Sequence, residues 1–309
     1  MGTTKIQWTD KTWSPVHGCT KLSPGCKNCF AEVMANRQRA MGTKGYENGF
    51  AVTLCPERLS QPLKWRKPSM IFVCSMGDLF HDEVPFEFIA AVFGVMAATP
   101  RHTYQVLTKR PERMIEFFEW YEGESGAGAS PMAALYEAAS RIDDEGDKGQ
   151  ILDAVDDDLP WPLKNLWLGV TAEDQQRYDE RIGILEQIPA HKEYDCHPQK
   201  FLSLEPLLGE IDLKLWNPRD PKSDGEWMAS VEGVGVIGMH RPPGLVIAGC
   251  EKTGAGLGRP AKLDWFRSLR DQCVEVGTSF FLKQAAINGR LAKMPELDGR
   301  VWDQMPVQK

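Results

Sequence analysis

Seven short apolar runs, each closed by small, polar or charged residues, punctuate the chain: Ala51–Cys55, Met70–Ser75, Thr103–Thr108, Leu166–Thr171, Lys200–Glu205, Leu245–Cys250 and Thr278–Lys283. Their length and β-branched content predict buried strands of a parallel sheet. Helical patterns fill the gaps. Phe86–Met96 is almost wholly apolar and follows Pro85, while Pro111–Phe118 opens with proline and an acid, as helix starts do. Asp174–Gln187 carries Ile182, Leu185 and Ile188 on one face, with Asp174 read equally as an N-cap. Asp264–Val276 turns Trp265, Phe266, Leu269 and Val276 inward, with Gly277 as its cap. Alternating strand and helix implies an α/β fold with right-handed crossovers. Seven such strands predict one domain over residues 1–309, a parallel (β/α) barrel, partial or complete, with its active site at the strand C-termini.

Two stretches break the alternation. Residues 121–161 are acidic and rich in Gly and Ala, and read as a solvated insertion with one helix around Met132–Ile142. Residues 216–243 are rich in Gly, Pro and Asp and read as a long loop.

Charge refines this picture. The net charge is −7, but Tyr121 to Asp158 alone holds 11 acidic and 2 basic residues, so the remaining body is close to neutral. Composition therefore neither demands nor excludes a nucleic-acid partner. No stretch approaches the roughly 20 apolar residues that cross a bilayer, and Met1–Trp8 has no signal-peptide core. The expectation is a cytoplasmic protein with no membrane partner, in which clustered thiols mean metal or catalysis rather than disulfides.

The cluster is unmistakable. Cys19, Cys26 and Cys29 fall within eleven residues as C-x6-C-x2-C, with Gly18 and Gly25 directly before the first two and Pro24 between them. Ile6–Asp10 and Thr12–His17 lead in, with Trp8 and Trp13 expected to roof the site. A helix reading starts at Phe30, which puts the third thiol at a helix N-terminus, where the macrodipole favours negative charge. Three thiolates suit three irons of a 4Fe–4S cluster with the fourth iron open. Zinc is the alternative, with His17 or a distant residue as fourth ligand. A closed zinc site usually brings a second close Cys/His pair, and only the remote Cys196-His197 is available. Cys55, Cys74 and Cys250 end predicted strands and read as small buried apolar residues.

The segment Cys19–Phe30 resembles a widened form of the Cys-x3-Cys-x2-Cys loop of radical S-adenosylmethionine enzymes. More closely, Ile6–Asp10, Trp13–Cys19, Gly25–Glu32, Pro56–Leu59, Ser75–His81, Val106–Pro111, Trp167–Thr171, Ser203–Gly209 and Phe281–Gln284 together resemble a phage- and prophage-associated family of radical-SAM-like proteins of unassigned function. The resemblance covers nearly the whole chain outside the two interruptions. Two positions depart from it: Phe30 stands where the family has Tyr, and Cys250 replaces the second glycine of a Gly-Gly-Glu run that ends here in Glu251.

The resemblance implies a partial barrel of radical SAM type, with Cys19, Cys26 and Cys29 holding the cluster and S-adenosylmethionine on the open iron. An external donor would supply the electron that cleaves the sulfonium to a 5′-deoxyadenosyl radical. Polar residues at the predicted strand ends are then candidates for holding the cofactor: Ser75, Asp78, Thr108, Lys109, Glu173, Glu205, Glu251 and Lys283. Lys109-Arg110 could also grip a phosphate. With the phage setting of the family, that pair points to a nucleotide or nucleic-acid substrate. The rival readings are a zinc-binding nucleic-acid or partner-binding protein on the same three cysteines, and a degenerate barrel whose structural cluster serves only partner binding.

Overall fold

The computed structural model describes residues 4–122, 131–156, 161–188, 198–215, 240–253 and 256–306. Eight main strands are β1 Lys11–Trp13, β2 Met70–Val73, β3 Thr103–Thr108, β4 Leu166–Thr171, β5 Gln199–Leu204, β6 Leu245–Gly249, β7 Ser279–Ile287 and β8 Arg290–Lys293. Among the described residues the helices that accompany them are α1 Phe30–Ala40, α2 Phe86–Ala97, α3 Pro111–Glu122, α4 Pro131–Ser140, α5 Glu145–Leu152, α6 Gln175–Glu186 and α7 Leu263–Val276. The fold is α/β and its sheet is mostly parallel. The ladders β1/β2, β2/β3, β5/β6 and β6/β7 are parallel, and β7/β8 is antiparallel.

The chain forms two compact units whose segments interleave: Met1–Leu22, Cys29–Gly169 and Gln187–Gln199 in the first, Ser23–Asn28, Val170–Glu186 and Lys200–Lys309 in the second. The boundary runs through β4.

In the first unit the strand order is β1-β2-β3-β4. Ile71 and Val73 on β2 and Tyr104 and Val106 on β3 are buried, and α2 is buried along almost its whole length. β1 was not among the predicted strands. Trp13 is fully buried in it and donates its indole N–H to the Arg58 carbonyl at 2.8 Å, while Trp8 packs on Phe72. Both tryptophans are core rather than a roof. Conversely, Ala51–Cys55 is not a strand of the parallel sheet. Only Thr53–Leu54 is extended, pairing antiparallel with Val16–His17, because Pro56 has no N–H to extend a ladder and starts a 3-10 turn instead.

The acidic insertion is also more than a solvated excursion. α4 packs on α2, burying Ala134, Leu135, Ala138 and Ala139, and Trp161 packs against Tyr121 with tilted rings and centroids 4.2 Å apart. Gly94 makes that crossing possible: a Cβ there would sit 1.9 Å from the Ala134 carbonyl oxygen. Some of the acids have local work. Asp144 caps α5 by accepting the Asp147 N–H at 2.9 Å, and Glu145 and Asp147 lie in its first turn, where the dipole favours them.

In the second unit the order continues β4-β5-β6-β7-β8. β6 is buried at every position, and α7 packs on β7, burying Phe266, Leu269, Cys273 and Val276 before Gly277 ends it at φ 81°. Asp174 caps α6, taking the Arg177 N–H at 2.9 Å. β7 outruns its predicted end and turns into β8 at Asn288-Gly289, both at positive φ. Of the Gly/Pro-rich stretch 216–243, residues 216–239 lie outside the described residues. No helix among the described residues is long and apolar enough to cross a membrane.

Candidate functional site

The cysteine loop starts in the first unit from a backbone vice. The Gly18 N–H donates to the Met76 carbonyl at 2.9 Å, and the Cys19 N–H to that of Phe50 at 3.2 Å. Nothing larger than hydrogen fits: a Cβ on Gly18 would lie 2.1 Å from the Ala51 oxygen, and one on Gly77 2.8 Å from the Gly18 oxygen. The next residues are held by side chains from the ends of β2 and β3. Asp78 is buried, accepts Thr108 Oγ1–H at 2.8 Å and the Lys109 N–H at 3.2 Å, and lies 3.6 Å from Arg110. Arg110, also buried, donates to Thr20 Oγ1 at 2.8 Å and reaches Cys19 Sγ at 3.5 Å. It therefore faces the cysteine loop, which removes the reading of Lys109-Arg110 as a paired phosphate grip.

His81 completes this group. Its Nδ1 accepts the Glu83 N–H at 3.1 Å, so the proton of the neutral ring sits on Nε2 and is directed at Thr20 Oγ1, 2.9 Å away. Burial, and then the nearby Arg110 charge, lower the His81 pKa and favour that neutral form.

In the second unit, Ser23–Asn28 forms a 3-10 turn over Pro24–Cys26. The Gly25 N–H donates to Glu173 Oε1 at 2.9 Å, and the other oxygen of this fully buried carboxylate faces Arg181 at 3.3 Å. The Pro24 carbonyl accepts from Arg259 at 2.9 Å. Arg259 in turn grips Glu251 through Nε, its terminal nitrogen and its own backbone N–H. Glu251 is 3% exposed. The Arg259 hydrogen bonds hold its carboxyl down to about 2, and the Asn28 side chain adds a smaller share. Gly258 must be glycine for this, since a Cβ would lie 2.5 Å from Glu251 Oε2. Glu205 pairs with Lys283 at 2.6 Å and with Gln284 at 2.9 Å, and Gly249 lies flat on its carboxylate. The close backbone approach thus falls at Gly249. Cys250 is buried beside it, its N–H bonded to the Gln284 carbonyl.

None of Cys19, Cys26 and Cys29 is disulfide-bonded, and all three are half-exposed, unlike Cys55, Cys74 and Cys250. Cys29 is the N-cap of α1 but its side chain accepts no capping hydrogen bond, and Phe30 after it is 62% exposed. Burial raises the Cys55 and Cys74 thiols and pushes Cys250 up to about 11, which disfavours the thiolate at all three. His17 is buried, stacked on Tyr46 and 3.2 Å from Cys55 Sγ. Among the described residues no three His, Cys, Asp or Glu side chains stand in a ready metal-holding group. Cys196 and His197 lie outside the described residues.

Of the eight polar candidates, Asp78, Thr108, Glu173 and Glu251 are buried, while Ser75, Lys109, Glu205 and Lys283 are half-exposed. Sequence reasoning missed Thr20, Arg181 and Arg259. Only the Gly-Arg-Pro at 258–260 hinted at an unusual turn there. No curated protein and no solved structure matches the chain. Residues 3–306 match the family described as "Protein of unknown function (DUF5131)", and the chain belongs to that family.

Proposed function

We propose that the chain is a radical S-adenosylmethionine enzyme whose Cys19, Cys26 and Cys29 hold a 4Fe–4S cluster. The observation that carries this reading is the loop. Three soft donors stand half-exposed and without disulfides, while the chain's other described cysteines are buried. Three thiolates are the donor set that a 4Fe–4S cluster takes when one iron stays open for a cofactor, which supports the reading. When bound, the cluster supplies the single electron that cleaves the sulfonium of S-adenosylmethionine, drawn from an external donor.

The chain's own residues supply position and charge. Glu205 and Lys283 present a carboxylate and an ammonium side by side, complementary to the amino and carboxylate groups of a methionine moiety. Ser75 and Lys109 are accessible at the ends of β2 and β3 and suit ribose or substrate contacts. The parallel strands behind them support a barrel of radical SAM type. With Arg110 committed to the cysteine loop, the proposed nucleotide or nucleic-acid substrate class rests on the phage- and prophage-associated family that the chain resembles, and the cytoplasm is the proposed compartment.

The test is anaerobic purification followed by iron, sulfide and visible absorption, then assay of 5′-deoxyadenosine after adding reductant and S-adenosylmethionine. The proposal expects iron, sulfide and cofactor cleavage, all lost in the Cys19→Ala, Cys26→Ala, Cys29→Ala chain with its fold retained. Zinc without iron would sink it. Iron without cleavage would leave a structural cluster.

A further inference from the structure

The strongest unexplained arrangement is the pair of charged groups on one peptide bond. The Pro24 carbonyl and the Gly25 N–H belong to the same peptide plane, and each is bonded at 2.9 Å by a charged side chain, Arg259 on one side and Glu173 on the other. Charge-assisted bonds are roughly twice as strong as neutral ones. Two of them on opposite edges of one plane fix its rotation, and the next residue is Cys26.

Each charged group is itself seated. Both Glu251 oxygens accept from Arg259, and both Glu173 oxygens are engaged, one by Gly25 and one by Arg181. Arg181 also donates to the Thr171 carbonyl at 2.6 Å, which fixes it at the end of β4. Gly258 lets the backbone lie directly over Glu251, so the segment carrying Arg259 is shaped for this contact.

We propose that Arg259 seated on Glu251, and Glu173 seated on Arg181, are positioning residues that clamp the Pro24–Gly25 peptide and so set where Cys26 stands. Glu173 and Glu251 thereby leave the set of cofactor ligands and join the support of the loop. The importance of the clamp rests on the cluster-binding reading above, but its existence is measurable without any metal.

The experiment is hydrogen–deuterium exchange on the full chain, as purified and after chelation, read at a peptide spanning residues 22–28. Arg259→Gln is expected to speed exchange there about tenfold or more while the sheet strands stay as protected as before. Glu173→Leu should do the same. Glu173→Gln, which keeps an acceptor oxygen for the Gly25 N–H, should stay within about twofold of the parent, a rescue that loss of bulk packing would not give. Unchanged exchange at 22–28 in both Arg259→Gln and Glu173→Leu overturns the clamp, as does an increase spread evenly over the chain. Should Glu173→Leu fail to fold, Arg259→Gln decides alone. Iron measured on the same samples judges the cluster separately: iron-free protein with a fast-exchanging Arg259→Gln loop sinks the cluster reading and keeps the clamp.

Discussion

Glu251 shows how much one residue's setting can alter its meaning. As a lone acid after a predicted strand it suggests a ligand. Bonded on both oxygens by Arg259, it has a carboxyl held near 2 rather than 4.5. A folded-state value below the unfolded one means that the ionised group adds stability in full above about pH 4.5 and loses it as the pH falls toward about 2. Exchange protection at residues 22–28 should follow that window, constant from neutral pH to about 4.5 and eroding below it. Erosion already complete at pH 5 would mean another group governs the loop. The clustering of three thiols in eleven residues was legible because it is a local pattern. Arg259 was not, because its partner at Pro24 is 235 residues away and no local pattern encodes such a pairing.

Among the elements, those with strong periodicity were readable and those defined by a partner were not. α2 announces itself through an almost unbroken apolar run after Pro85, α7 through apolar spacing and a terminal glycine, and the apolar runs at β2 through β7 are strands. β1, only three residues long, gives too little pattern to detect, whereas Asn288-Gly289 is a hairpin signal that the sequence does carry. The α4 helix was read correctly as a helix and wrongly as solvated, since acids nearby say nothing of a face made of alanines. Gly94 on α2 exposes that dependence to experiment. Gly94→Ala should cost about 2 kcal/mol or more, because backbone cannot move aside as a flexible side chain can. Gly183→Ala on α6, where a Cβ meets nothing, should be neutral or stabilise by up to about 1 kcal/mol. Chemical denaturation of the two variants checks both signs. Equal losses would mean that the α2–α4 crossing is not tight.

At the scale of the whole molecule, the α/β class and the parallel strands are legible because each strand and helix carries its own local pattern. The division into two compact units with interleaved segments is not, since the six residues Ser23–Asn28 belong to the second unit while their neighbours on both sides belong to the first. Such long-range closure is invisible to patterns that span a dozen residues. The charge asymmetry resolves in the same way: part of the acidic surplus serves the helix start at α5, and Arg110 and Arg259 are committed to the cysteine loop rather than to a basic surface.

The distance between the loop and its clamp also has a consequence in time. A ribosome releases Cys29 long before Glu173 and far longer before Arg259. At about 5–20 residues per second, the 235 residues from Pro24 to Arg259 take roughly ten to fifty seconds to make. Through that interval the three thiols are exposed to oxidants and stray metals with no clamp to set their geometry. Maturation of the loop is therefore expected to follow chain completion. Nascent chains stalled before residue 259 should be alkylated evenly at Cys19, Cys26 and Cys29, whereas in the released protein Cys26 should react more slowly than it does on the stalled chain. Equal Cys26 rates before and after release would mean that the loop takes its shape without its distant partner.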